Sequence, residues 1–416
     1  MSQLKSRLPL FATLLMLTLA FAPTLPASSD NAPTQARPTI ADGPLAPEAH
    51  YTDVTALVRD VIGRLHYAPP AFDSELSARA FDRYLSLLDP NRSYFLASDV
   101  AEFSRFRDNL LQSRRGSDLQ PAYDIYNRFH QRILERVEFL TAQLDAEPDF
   151  TVNEDYQYDR REAAWAADLD ELNEITRKRF KNDVLTLQLA GQDWGSITDT
   201  LSRRYRGLAR RSSQSVAADV FQVYMNAFTT SIDPHTAYMT PVNQDNFRME
   251  MSLSLEGIGA VLTAEDDYTR VVSIVPAGPA DQTKELFPND RLLAIAQGAD
   301  GEFVDVVGWR VDDVVQLVRG PRDTTVRLMV LPADAPPDSA PRIVSIQRKK
   351  IRLEEQAAKS SITEVERDGR THRIGVIDLP TFYADFAALQ AGDPEAKSTV
   401  MSRGCSASSR NRVWTR

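Results

Sequence analysis

The sequence is poor in the residues that build redox, metal and thiol-based catalytic sites. It holds one cysteine, Cys405, and five histidines among 416 residues. A single cysteine excludes an intrachain disulfide and a four-cysteine zinc site, and no cysteine upstream of it could serve as a nucleophile. The histidines lack ligand spacing such as His-Glu-x-x-His. The sequence therefore predicts no metal site and no cofactor.

An excess of basic charge is also missing. Lysine and arginine number 48 against 58 aspartates and glutamates, which gives a formal net charge of −10. This balance argues against a nucleic-acid partner, because phosphate contacts need a basic surface. With 43% hydrophobic and 25% charged residues, the composition is that of a globular protein, and the length corresponds to two to four domains.

The amino terminus lacks a hydrophobic run of the roughly 20 residues that cross a bilayer. The shorter run from Leu8 to Ala22 follows Lys5 and Arg7 and ends in small residues. This layout predicts a secretory signal peptide over residues 1–27, with an uncleaved anchor as the alternative. The stretch 28–50, rich in Pro, Ala, Ser and Thr, is expected to be a flexible linker. Export with almost no cysteine indicates a bacterial envelope protein located in the periplasm, with association with the inner membrane as an alternative.

Residues 51–250 are predicted to form an all-helical domain. Apolar residues recur there at intervals of three and four, which gives each segment one apolar stripe. Asp73 is expected to cap the second helix, and Pro121 to open a long helix that ends near Leu144. Further helices are expected over residues 162–190, 194–211 and 215–232.

The periodicity then changes from 3.6 to 2, and residues 251–333 are predicted to form a second domain of short strands with one helix, Val311 to Arg319. Residues 334–341 have the composition of a linker. Residues 342–397 are expected to begin a third domain. Its strand from Ile374 to Leu379 is a nearly continuous apolar run, typical of a sheet buried on both faces.

A glycine-bracketed turn between two strands is the most informative local motif. In the run Gly257-Ile258-Gly259-Ala260, the glycines allow consecutive backbone N–H groups to point into one concavity. Such a concavity accepts an anion, and the terminal carboxylate of a peptide fits it. We therefore expect Gly257, Ile258, Gly259 and Ala260 to bind a carboxylate. The simpler alternative is that the glycines only permit a tight turn.

A strand beside this turn and the valine-rich helix opposite it would form a groove. An extended peptide could add a strand there, with its last apolar side chain in a hydrophobic pocket. The predicted groove residues are Val261, Val314, Val315 and Val318.

Several motifs in sequence order resemble known domains. Gly-Ile-Gly-Ala, Pro-Ala-Gly-Pro-Ala and Asn-Asp-Arg-Leu-Leu followed by the valine-rich helix resemble a PDZ domain over residues 251–332. Together with the stretches Ala80–Asp89 and Ile232–Thr236, they make residues 51–397 similar to the tail-specific proteases, the bacterial carboxyl-terminal processing peptidases. The resemblance implies a multidomain α+β fold: an N-terminal all-helical domain, a PDZ domain built as a small β-barrel-like sandwich with helices, and the opening strands of an α/β serine protease core.

The resemblance also implies an activity. Such proteases use a serine nucleophile with a lysine general base, and the PDZ domain presents the C-terminus of the substrate. The expected partners are unfolded or tagged proteins with apolar C-termini, and an envelope lipoprotein is a candidate adaptor. In the family both catalytic residues lie downstream of the strand at Ile374, so no catalytic residue is assigned, and this chain is expected to be a truncated, inactive member. The alternative is a non-catalytic envelope protein that binds C-terminal peptides.

The last residues differ in composition from the rest. Residues 398–416 are rich in serine and arginine and show no helical or strand periodicity. Permitted codons from Val400 onward can be read in another frame as a protein-like segment, so a frameshifted tail is expected, with a genuine Ser/Arg-rich tail as the alternative. Without neighbouring strands, the run from Ile374 to Leu379 would expose an apolar edge. We therefore expect the chain after Pro341 to be poorly ordered or prone to aggregation.

Two polar clusters have a functional and a structural interpretation. Asp233-Pro234-His235-Thr236 could supply a base or a metal ligand, but a closed turn is the favoured interpretation. An arginine cluster could touch anionic lipid and allow peripheral membrane association, although a solvated helix face paired with acidic residues is favoured. The cluster consists of Arg203, Arg204, Arg206, Arg210 and Arg211.

Overall fold

The computed structural model describes residues 43–111, 118–333, 335, 339–352, 358–367 and 369–392. The predicted signal peptide and the tail at 398–416 lie outside the described residues, as does most of the predicted linker at 28–50.

The first half of the described chain is helical, as predicted. Asp73 caps the second helix by accepting a hydrogen bond from the Leu76 amide at 2.9 Å, and Pro121 occupies the second position of the long fourth helix, whose first residue is Gln120. The helices are α1 (Ala49–Leu65), α2 (Ser74–Leu88), α3 (Ala97–Phe103), α4 (Gln120–Ala142), α5 (Leu169–Leu189), α6 (Trp194–Ser213), α7 (Ala217–Thr230) and α8 (Pro241–Ser252).

Large apolar side chains from α1, α2, α4 and α7 form the main core of this domain. Tyr84 and Tyr224 are almost fully buried, and their hydroxyls donate to the carbonyl oxygens of Ala122 and Leu110 at 2.9 and 3.1 Å. Burial of each such side chain contributes roughly 1.5–3 kcal/mol, provided that its polar atom keeps a partner. A second apolar cluster joins α4, α5 and α6.

Two element boundaries differ from the sequence-based expectation. Helix α5 begins at Leu169 rather than near residue 162, because the Asp168 side chain accepts from the Glu171 amide and caps the helix there. Helix α8 extends to Ser252, into the domain of strands expected from residue 251, and the first strand begins at Ser254, three residues later. Leu253, with φ +48°, ends the helix.

The second domain consists of antiparallel strands with short helices. The strands are β1 (Ser254–Gly257), β2 (Ala260–Glu265), β3 (Tyr268–Ile274), β4 (Arg291–Gln297), β5 (Val304–Asp305), β6 (Thr325–Leu331), β7 (Arg342–Gln347) and β8 (Lys349–Arg352), with helices α9 (Pro279–Thr283) and α10 (Val311–Val318). The main sheet has the order β2-β3-β4-β6-β7, with β5 paired to β4, and β1 pairs separately with β8.

Strands β7 and β8 belong to this second domain, which corrects the expected start of a third domain at residue 342. Strand β7 pairs with β6 along its whole length, and its Val344 and Ile346 are fully buried in the apolar core of the sheet. The Pro/Ala/Asp-rich stretch before β7 is thus a connection within the domain. The expectation that the chain after Pro341 is poorly ordered or prone to aggregation stays a prediction, and these two strands are paired within the domain.

The predicted strand at Ile374–Leu379 coincides largely with β10 (Arg370–Asp378), which pairs with β9 (Lys359–Arg367) in a two-stranded antiparallel hairpin. The strand has one neighbour rather than none, and both strands are exposed throughout. Ile374 is 48% and Ile377 65% exposed. A short helix, α11 (Phe386–Gln390), follows. Among the described helices, none combines the length and apolar character needed to cross a bilayer.

Candidate functional site

The connection between β1 and β2 carries the predicted carboxylate-binding residues. Gly257 ends β1, Ala260 begins β2, and Ile258 and Gly259 link them. The carbonyl oxygens of Ile258 and Gly259 accept hydrogen bonds of 2.8 Å from the amides of Ala280 and Val275. These bonds fix the peptide groups that join Ile258 to Gly259 and Gly259 to Ala260. Within the described part of the chain, the N–H groups of Ile258 and Gly259 donate to no other residue.

Glycine is required at position 259 by backbone conformation and by space. Its φ is +76°, in the left-handed region, and a Cβ atom there would lie 3.2 Å from Cδ1 of Ile351. Ile351 belongs to β8, so a side chain of the β1–β8 strand pair packs against this loop. The simple-turn interpretation and the anion-binding interpretation both need this glycine, and the unpartnered amides favour the second.

The loop leads directly into the edge strand of the sheet. Strand β2 is at the edge of its sheet, and among the described strands it pairs only with β3. Helix α10 packs alongside β2. A row of backbone N–H and C=O groups on this edge can therefore pair with an extended peptide that enters between β2 and α10.

The structure separates the four predicted groove residues into two pairs. Val261 on β2 is 49% exposed and Val315 on α10 is half-buried, so both stay predicted groove residues with accessible side chains. Val314 is fully buried and Val318 is 4% exposed, and both pack in the core of the domain. Their assignment to the groove surface is corrected. Helix α10 presents positions 314, 317 and 318 to the sheet, a face that the apolar pattern alone could not distinguish from the groove face.

Arg348 anchors the C-terminal end of α10 and was missed by the sequence-based analysis. It is 2% exposed, and its Nε and Nη2 donate to the carbonyl oxygens of Val318 and Leu317, both at 2.9 Å. A cation at the last carbonyls of a helix satisfies them and opposes the negative end of the helix dipole. Burial lowers the pKa of the Arg348 guanidinium. The sequence pattern does not indicate this role, because Arg348 follows a stretch with the composition of a linker and its partners Leu317 and Val318 precede it.

The Asp233–Thr236 motif closes a turn. The Asp233 carboxylate accepts a hydrogen bond from the Tyr67 hydroxyl at 2.7 Å and another from the His235 amide at 2.8 Å. These two bonds, the Tyr67 bond first, hold the pKa of Asp233 below its ordinary value. Thr236 Oγ1 lies 3.2 Å from Nε2 of His66. In the described ranges, no group of three His, Cys, Asp or Glu residues is arranged to hold a metal.

In the arginine cluster, Arg210 forms an ion pair with Asp267 on the turn between β2 and β3, at 2.5 Å. This contact joins helix α6 to the second domain, in line with the favoured interpretation of a helix face paired with acidic residues.

Comparison with known proteins assigns both domains. Residues 58–242 match the family model described as the tail specific protease N-terminal domain, and residues 246–331 match the PDZ domain. A tail-specific protease of Haemophilus influenzae is 38% identical over 319 residues, which are 76% of this chain and 45% of that protein. The chain carries the N-terminal and PDZ domains of a tail-specific protease.

Two further proteins are similar to parts of this chain. A carboxy-terminal processing protease of Bacillus subtilis is 31% identical over 96 residues, 23% of this chain and 19% of that protein. A crystal structure of the PDZ domain of a carboxy-terminal protease from Vibrio cholerae, in complex with peptide, is 51% identical, with a TM-score of 0.23. It covers 24% of this chain and all of that one. The chain spans less than half the length of the Haemophilus relative.

Proposed function

We propose that the PDZ domain binds the C-termini of unfolded or tagged proteins, as the recognition module of a serine-type C-terminal processing peptidase. The ligand adds a strand to the open edge of β2, its carboxylate accepts from the amides of Ile258 and Gly259, and its apolar side chains contact Val261 and Val315. The observation that carries the proposal is the pair of amides at Ile258 and Gly259 that donate to no described residue, beside an edge of β2 that pairs with no described strand.

Peptide binding to the full chain tests this proposal. We expect a fluorescent peptide that ends in small apolar residues to bind with a Kd on the order of micromolar, about 8 kcal/mol. The same peptide with an amidated C-terminus is expected to bind at least tenfold more weakly, because the amide lacks the negative charge that the loop receives. Equal affinity for the acid and the amide would refute the carboxylate assignment.

The family resemblance supports a serine–lysine dyad as the catalytic machinery of the protease. For the 416 residues themselves, the site built from described residues is a binding site, and we propose that they bind C-termini without cleaving them. Incubation with an unfolded protein that ends in the same apolar residues is expected to leave the substrate intact on a denaturing gel. Turnover that a serine-directed inhibitor abolishes would contradict this part of the proposal.

We further propose a periplasmic location, close to the inner membrane, with an envelope lipoprotein as adaptor. The support is the amino-terminal pattern of two basic residues, an apolar run and small residues. Cell fractionation is expected to recover the protein with periplasmic markers, and recovery with cytoplasmic markers would contradict the location.

A further inference from the structure

The groove helix α10 is tied to the helical domain at both ends. At its N-terminal end, Arg310 Nη1 and Nη2 donate to the two carboxylate oxygens of Asp219 on α7, at 2.7 and 3.3 Å. At its C-terminal end, Arg319 Nη1 donates to Oδ1 of Asn246 on α8, at 2.5 Å. Arg310 and Arg319 are the residues that flank the helix directly.

The N-terminal contact is a bidentate ion pair with a carboxylate that has a second hydrogen-bond partner. Asp219 also accepts a 3.0 Å hydrogen bond from the Val216 amide at the start of α7, which orients the carboxylate independently of Arg310. Beside the ion pair, Gln214 Nε2 donates to the Gly308 carbonyl at 2.9 Å, and Arg310 Nη1 also approaches the Gln214 carbonyl at 3.4 Å. The junction of α6 and α7 thus contacts both the loop before α10 and its first flanking residue.

We propose that the Arg310–Asp219 pair is a positioning contact through which the helical domain sets the place of α10, and with it the peptide affinity of the groove. The inference rests on the proposed function of that groove. Strand β2 is held by its pairing with β3, and the ion pair to α7 holds the N-terminal end of α10, the opposite wall of the proposed groove. When α10 already occupies its binding position, no binding free energy is used to order it, and the peptide binds more tightly.

The partial exposure of the pair limits the size of the effect. The side chains of Arg310 and Asp219 are 26% and 38% exposed, so solvent screens the contact in part. If its loss leaves α10 in the binding position about a third of the time, the apparent Kd rises about threefold, because affinity scales with the competent fraction. The coupling is reciprocal, so bound peptide also tightens the contact between α7 and α10.

A matched pair of variants in the full chain tests the proposal. Arg310→Gln removes the ion pair at α10, whereas Arg210→Gln removes the Arg210–Asp267 pair between the same two domains at the β2–β3 turn. We expect Arg310→Gln to raise the Kd for the free-acid peptide about threefold and Arg210→Gln to leave it within 1.5-fold. Asp219→Asn combined with Arg310→Gln is expected to match Arg310→Gln alone. Equal effects of Arg310→Gln and Arg210→Gln would overturn the proposal.

Hydrogen exchange without peptide separates this inference from the proposed function. The α10 amides are expected to exchange faster in Arg310→Gln than in the wild type, and unchanged in Arg210→Gln. Faster exchange together with a wild type that does not prefer the free-acid peptide would support the contact and refute the groove assignment. Unchanged exchange in Arg310→Gln would refute the positioning role even where the wild type binds peptide.

Discussion

At the scale of single residues, Gly259 combines a left-handed backbone with a close contact to Ile351 in the loop that offers free amides. Gly259→Ala is expected to cost about 1–2 kcal/mol in stability from the backbone conformation alone. The added methyl group also displaces the loop from Ile351, so we expect the affinity for the free-acid peptide to fall at least tenfold. Fluorescence anisotropy and thermal unfolding measure the two effects.

Gly298 provides the matched control at this scale. Its φ is +68°, close to that of Gly259, but a Cβ atom there meets nothing within 4 Å. Gly298→Ala is therefore expected to lose similar stability and to keep peptide affinity within twofold. Similar losses of affinity in both variants would show that Gly259 acts only through the stability of the domain.

At the scale of secondary-structure elements, α3 and α4 are joined by a buried carboxylate. Asp99 is 1% exposed and accepts from Arg132 at 2.8 and 2.9 Å and from Arg128 at 2.5 Å. Asp99→Asn leaves the guanidinium groups without their buried partner and is expected to lower the free energy of unfolding by about 3–5 kcal/mol. Asp82→Asn, which breaks the half-exposed pair with Arg107, is expected to cost less than about 1 kcal/mol. Urea denaturation distinguishes the two.

The Asp99 contribution is expected to depend on pH. Burial raises the pKa of Asp99, but hydrogen bonds from Arg132, the Leu96 amide and Arg128 outweigh burial and hold it below the ordinary value of 3.8. Because the folded chain holds this proton less tightly than the unfolded chain, the stabilisation is complete above pH 3.8 and is lost as the pH falls through the lower folded value. The difference in stability between wild type and Asp99→Asn should therefore shrink below pH 3.8. A difference that stays constant down to pH 3 would contradict the assignment.

For each element, the sequence predicts those features, such as helix caps and tight turns, that depend on residues close together in the chain. The Asp73 cap and the Gly257–Ala260 turn depend on neighbours within a few residues, and both lie where the pattern indicates. Strand β7 was assigned to the wrong domain because its pairing with β6 bridges a proline-rich connection that has the composition of a linker. Val314 was placed in the groove because an apolar stripe does not say which of its residues meets the core.

At the scale of the whole molecule, the C-terminal boundary of the PDZ domain determines which shortened chains can fold. The family match ends at residue 331, yet β7 supplies two fully buried side chains to the domain core, and Ile351 of β8 lies against Gly259 in the connection between β1 and β2. Arg348, between these strands, holds the C-terminal end of α10. The folded unit therefore extends to Arg352, and the exposed hairpin of β9 and β10 lies beyond it.

Two shortened chains test this limit. A chain that ends at Arg352 keeps β7 and β8 and is expected to retain peptide affinity within twofold. It should also scatter less light on heating than the 416-residue chain, because the exposed apolar hairpin is gone. A chain that ends at Pro341 loses Val344, Ile346 and the Arg348 anchor, which should cost about 5 kcal/mol or more. It is expected to lose peptide binding while the helical domain keeps its circular dichroism signal. Full affinity in the shorter chain would place the boundary at residue 341 instead.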